Sequence, residues 1–120
     1  MTTVNTVMLS FVEEEILRHL SLLVEREIAE AQKIILFGSR ARGESDEESD
    51  MDVAIVVNVT SIDSTLWERL WDIKWRVLES LNSEEFPLSL TIITMSDFIG
   101  EISGLIKEIK REGVLVWERN

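Results

Sequence analysis

The chain has no cysteine, so neither a disulfide nor a thiolate-bound zinc is available to hold its fold. Histidine is almost as scarce: His19 is the only one, and it falls inside an amphipathic helical pattern. A histidine-based metal centre is therefore not expected. Any metal should sit on carboxylates, which points to magnesium or manganese. Positive charge is also in short supply, with 12 Lys and Arg against 23 Asp and Glu and a formal charge of −11. Such an acidic surface repels phosphate backbones, which argues against long DNA or RNA as a partner. A nucleotide carried in with a divalent ion is affected less, and a basic protein partner is attracted. Finally, no run of about 18 apolar residues exists to cross a membrane. The N-terminus also lacks the basic-then-apolar pattern of a secretion signal. A cytoplasmic protein without membrane association is the expectation.

What is present suits a folded domain. Apolar residues make up 45% of the 120, enough for a real core and too many for a disordered tail. No repeat, linker or low-complexity tract divides the chain, so residues 1–120 read as one domain. The one strongly biased stretch is the acidic loop from Glu44 to Asp52.

Ser10 and Glu13 have capping-box spacing, and the apolar residues after them recur at helical intervals. They predict a first helix of about 18 residues. Lys33 to Phe37 reads as a buried strand ending at Gly38, and Asp52 to Asn58 as a second, rich in valine and isoleucine. Asp63 or Ser64 caps a helix running to about Asn82. Pro87 precedes a third strand, Leu88 to Ile93. A third helix, capped by Ser96, should end near Gly113 with Lys107, Lys110 and Arg111 at its negative end. Val114 to Glu118 is expected as a last, edge strand. The fold class is α/β (α+β): a small mixed sheet with helices packed on it.

The segment that carries chemistry runs from Leu36 to Gly43, followed by Ser49-Asp50-Met51-Asp52. A strand that turns sharply at Gly38 brings backbone close to an anion, and Ser39 adds a hydroxyl and an amide donor. A short helix starting after Ser39 would turn its N-terminus to the same anion. Asp50 and Asp52 stand two apart at the start of a strand, so both carboxylates converge on one face. Convergent carboxylates beside a phosphate cradle are what hard divalent ions require.

This stretch, Gly-Ser, ten residues, then Asp-x-Asp, resembles the signature of the polymerase-beta nucleotidyltransferase superfamily. It is most similar to the minimal nucleotidyltransferases (MNT), and the similarity continues through the third strand to Arg111-Glu112-Gly113-Val114-Leu115-Val116. The resemblance implies a polymerase-beta-like fold, with Gly38 and Ser39 holding the triphosphate of ATP or another nucleoside triphosphate. It also implies that Asp50 and Asp52 are the catalytic carboxylates and bind magnesium or manganese. Arg40 and Arg42 are expected phosphate or partner contacts. Active members of the superfamily carry a third carboxylate on the following central strand, where this chain has Ser89. A serine supplies neither charge nor a base near neutral pH. Three readings stay open: an acceptor that needs no strong base, a substitute in Glu84 or Glu85, or a protein that binds nucleotide and does little chemistry.

The second helix carries two apolar stripes. Leu66, Leu70, Ile73, Val77 and Leu81 suit packing on the sheet. Trp67, Trp71 and Trp75, with Leu78 beside them, make a second stripe that serves either as core or as a protein interface. His19 is expected to be structural or surface-exposed and not functional, and nothing ties Gly100 or Gly104 to catalysis.

The resemblance implies transfer of a nucleoside monophosphate, AMP from ATP first, to a hydroxyl. Minimal nucleotidyltransferases commonly pair with HEPN-domain RNases as toxin–antitoxin modules, which makes a HEPN toxin the expected acceptor and partner. A homo-oligomer is the other assembly considered. The runner-up is an antitoxin that acts by docking, with a vestigial nucleotide site. Transfer to a small molecule ranks third, since no second domain is evident to shape its pocket.

Overall fold

The computed structural model describes residues 9–44, 46 and 48–120, together with the backbone of Thr2 and Thr3. Ser45 and Glu47 of the acidic loop lie outside the described residues. Helix α1 (Phe11–Glu27) opens with a complete capping box. The Ser10 hydroxyl accepts from the Glu13 amide at 3.2 Å, and the Glu13 carboxylate accepts from the Ser10 amide at 2.9 Å. Strand β2 (Ala31–Phe37), the short helix α2 (Ser39–Arg42) and strand β3 (Met51–Val57) follow. Helix α3 (Ser64–Ser80) is capped by the Asp63 side chain, which accepts from the Leu66 amide at 2.9 Å. It crosses back over the sheet to deliver strand β4 (Leu88–Thr94).

Beyond β4, the structure corrects the sequence reading in two places. The expected third helix is two helices, α4 (Met95–Gly100) and α5 (Gly104–Glu112), and the first is capped by Thr94, not Ser96. Glu101 sits in the left-handed region at φ 49°, which ends α4, and the Ser103 hydroxyl recaps the chain for α5. Strand β5 (Val114–Glu118) is not the outermost strand. The two-residue β1 (Thr2–Thr3) pairs parallel with it, giving the sheet order β1-β5-β2-β3-β4. Strand β2 is antiparallel to both β3 and β5, while β3 and β4 are parallel.

Alternation along the strands divides the core in two. Ile34, Leu36, Met51, Val53 and Ile55 pack under α1 and α3. Ile35, Phe37, Ala54, Val56 and Ile93 face the other way, against Phe98, Ile106 and Ile109 of α4 and α5. The apolar stripe of α3 lands as the spacing predicts, with Leu66, Leu70, Ile73 and Val77 buried and Leu81 packed at the margin. Where α5 passes into β5 the chain fits only glycine. A Cβ on Gly113 would stand 2.3 Å from the Ile109 carbonyl oxygen and 2.6 Å from Ile35 Cγ2.

Candidate active site

Strand β2 ends where β3 and β4 begin, so three strand ends meet at one rim of the sheet. Gly38 leaves β2 with φ 76°, a conformation that side chains rarely adopt. A Cβ there would lie 2.5 Å from Asp52 Oδ2. The turn and the carboxylate are therefore in direct apposition, and only glycine permits it. Helix α2 starts at once, with the Ala41 and Arg42 amides bonded back to the Gly38 carbonyl at 3.1 and 3.3 Å. Among the described residues, no side chain caps this helix, so its first amides are donors available to an anion.

Asp50 sits just outside β3, exposed, and Asp52 is half-buried within it. In register, Asp52 lies between Phe37 on β2 and Ser89 on β4. Cross-strand partners share a face, so Ser89 stands beside Asp52 on the α4/α5 side. Burial raises the Asp52 pKa above its ordinary value, and the negative charges of Asp50 and Glu108 raise it further. Among the described residues, no group of three or more His, Cys, Asp or Glu is close enough to hold an ion alone. What Asp50 and Asp52 fit is a hard divalent cation whose other ligands arrive as phosphate and water.

The two arginines of α2 diverge. Arg40 is buried on the α1 side. Its guanidinium donates to Glu13 at 3.1 Å and, through Nε and Nη2, to the Ser49 carbonyl at 3.1 and 2.6 Å. It also stacks 4.9 Å from the centre of the Phe86 ring. Arg40 thus fastens the residue immediately before Asp50. Burial, the largest influence on Glu13, raises its pKa, but the hydrogen bonds from Ser10 and Arg40 outweigh that and leave it lowered. Arg42 turns to the opposite face and pairs with Glu44, Glu108 and Glu112 at 3.1, 3.6 and 3.3 Å. Asp46 closes the loop by accepting from the Glu48 and Ser49 amides at 2.9 and 3.0 Å. Glu84 and Glu85 are exposed in the loop ahead of Phe86 and make no ion pair among the described residues.

The tryptophan stripe splits. Trp67 and Trp71 are exposed at 40% and 49%, whereas Trp75 packs against the core and Leu78 is fully buried within it. His19 is half-buried on α1 beside Arg18. Several members of the neighbourhood were not singled out from sequence. Glu108 and Glu112 had a signal in their four-residue spacing on α5. Glu13 read only as a cap.

A glycine turn set directly against an Asp-x-Asp strand start, on a mixed sheet with helices on both faces, defines a nucleotidyltransferase-type fold. The chain belongs to the family described as polymerase beta, nucleotidyltransferase, whose sequence model matches residues 15–120. No curated protein matches it. Among solved structures, a toxin–antitoxin crystallised with AMP-PNP shares 19% identity at a TM-score of 0.56, over 87% of this chain and 74% of that one. A mutant MntA–HpeT toxin–antitoxin shares 20% identity at a TM-score of 0.53, covering 94% and 76%. The Shewanella oneidensis complex of a tri-AMPylated HEPN toxin with its MNT antitoxin shares 17% at 0.50, covering 87% and 71%. At these identities the likeness is one of fold. Among the described residues, no helix is long and apolar enough to cross a membrane.

Proposed function

We propose that the chain is a magnesium-dependent nucleotidyltransferase that moves AMP from ATP to a hydroxyl on a protein partner, a HEPN-type toxin in the first instance. The observation that carries this reading is the contact of Gly38 with Asp52, where a Cβ would come within 2.5 Å of the carboxylate. It sets a turn with amide donors at the start of a helix directly against the Asp50/Asp52 carboxylate pair. Gly38 and Ser39 would receive the triphosphate, and Asp50 and Asp52 would hold the ion. A bound magnesium supplies charge neutralisation at the phosphates and at the attacking and leaving oxygens. Phosphoryl-type transfer depends mainly on positioning and electrostatics, and Arg40 supplies positioning by tethering Ser49 next to Asp50. The solved toxin–antitoxins, one with AMP-PNP and one with an AMPylated toxin, support the nucleotide and the acceptor class.

A second reading has its own observation. Ser89 is the register partner of Asp52, so the cross-strand position on β4 beside it carries a hydroxyl and not a carboxylate. That favours an antitoxin that docks to its partner with little transfer.

One experiment separates the two. Each α-labelled nucleoside triphosphate is incubated with magnesium and host lysate, or with a co-expressed HEPN partner, beside the Asp50→Asn variant. Label in a protein band that vanishes with the variant establishes the transferase. Absence of label together with undiminished partner binding by both proteins leaves the docking reading.

A further inference from the structure

The Asp50 side chain is exposed, and among the described residues it makes no ion pair or hydrogen bond. Its position is therefore set through its backbone. A peptide unit is planar, so holding its carbonyl oxygen also fixes the Cα that follows. The unit leading into Asp50 is gripped by Arg40, which donates through Nε and Nη2 to the Ser49 carbonyl at 3.1 and 2.6 Å. The unit leaving Asp50 is held from the other side, where the Met51 amide donates to the Pro87 carbonyl at 2.7 Å. Asp50 thus hangs between two clamped peptide planes.

The first clamp depends on a residue of α1. The remaining edge of the guanidinium, Nη1, donates to Glu13 Oε2 at 3.1 Å, and the Phe86 ring covers its face at 4.9 Å from the ring centre. Glu13 and Arg40 are each only 8% exposed. The donors of a guanidinium lie in one plane. A carboxylate at Nη1 and a ring on the face therefore aim the Nε/Nη2 edge in one direction, at Ser49. Glu13 is fixed in turn by the Ser10 amide, which donates to Oε1 at 2.9 Å. One carboxylate serves the cap of α1 with one oxygen and the mount of Asp50 with the other. Glutamine would satisfy the cap alone; the buried charge answers to Arg40.

We propose that Glu13 is a positioning residue of the candidate active site: it orients Arg40, and Arg40 sets the Asp50 carboxylate for its cation. The inference rests on the nucleotide reading above and extends the site to the first turn of α1. Cap and mount can be broken separately. Ser10→Ala removes the hydroxyl that accepts from the Glu13 amide and leaves the bond from Glu13 to Arg40, whereas Glu13→Ala removes both.

The test is calorimetric titration of wild type, Ser10→Ala, Glu13→Ala, Arg40→Lys and Asp50→Asn with MgATP, following the backbone amide resonance of Asp50 in each. Ser10→Ala and Glu13→Ala should both melt below wild type. Ser10→Ala should nevertheless bind MgATP as wild type does, with the Asp50 resonance in place. Glu13→Ala should weaken binding by about tenfold or more and shift that resonance, as loss of an outer-shell support does at a metal site. Arg40→Lys keeps a charge for Glu13 but has no fork for the Ser49 carbonyl, and should weaken binding likewise. Wild-type affinity in Glu13→Ala, with binding lost in Asp50→Asn, overturns this proposal and leaves the nucleotide reading standing. Equal losses in Ser10→Ala and Glu13→Ala reduce Glu13 to a stabilising residue and also overturn it. If wild type does not bind MgATP, or Asp50→Asn binds it equally well, both fall together. Circular dichroism checks that each variant folds. Should Glu13→Ala fail to fold, Arg40→Lys decides, and wild-type affinity with an unmoved Asp50 resonance there overturns the proposal.

Discussion

At the scale of the residue, the site is a place where charge has been left unresolved. Asp52 is partly desolvated and lies in the fields of Asp50 and Glu108, which together hold its pKa up. A carboxyl with a raised folded-state pKa stabilises the fold below the unfolded value, and that contribution is lost as pH rises through the folded one. At neutral pH the ionised Asp52 is therefore a net cost to the free protein. Asp52→Asn should raise the melting temperature at pH 7 by a few degrees while abolishing nucleotide transfer. Thermal melts with and without magnesium check it, since the ion should stabilise wild type and not the variant. Glu13 has the opposite sign. Its lowered pKa gives stability that is present above the ordinary glutamate value and lost as pH falls through the folded one. Glu13→Gln keeps an acceptor for the Ser10 amide but leaves the buried Arg40 without its counter-charge. It should cost about 1.5–3 kcal/mol at neutral pH, the range for a hydrogen bond to a charged group, and flatten acid unfolding, as read from urea titrations across pH.

At the scale of the element, the parallel pairing of β3 and β4 decides how the chemistry can be completed. Asp52 and Ser89 are register partners, so Ser89→Asp would place a third carboxylate on the same face, beside the pair. Under the transferase reading, label transfer should rise by about tenfold or more; a rate that does not move counts for the docking reading. These elements were largely legible in sequence because each has a period and a cap. The Ser10 box, the Asp63 cap and the stripe from Leu66 to Leu81 all agree with what they build. The break between α4 and α5 was not, because residues 95–112 keep a roughly helical pattern across Glu101, and a left-handed non-glycine residue leaves no compositional mark. The exposed and buried fates of Trp67, Trp71 and Trp75 could not be told apart either. Four-residue spacing drifts around a helix, and it carried Trp75 onto the core while leaving Trp71 outside.

At the scale of the whole molecule, the sheet faces its two helical layers with different purposes. The α1/α3 side is the larger core, and its outer surface carries Trp67 and Trp71. Exposed tryptophans on a strongly acidic chain suit a partner surface with apolar pockets and basic surroundings. Trp71→Ala should leave the fold intact and weaken partner capture by about tenfold or more, measured by pull-down or by sedimentation if the partner is a second copy. Unchanged association in both assays removes the interface. The α4/α5 side was less readable, because β1 is two residues without pattern and makes β5 an interior strand only once the chain has folded. The close fit at Gly113 lies on this second side, where α5 gives way to β5 and the strand turns its back on the site. In a saturation library selected for solubility, Gly113 would tolerate almost nothing, since any side chain meets the backbone of Ile109. Gly38 would be similarly intolerant when the selection is for activity, because what it excludes is the Asp52 carboxylate. The same amino acid thus answers to two different selections, and comparing the two screens would sort the positions that hold the protein together from those that make it useful.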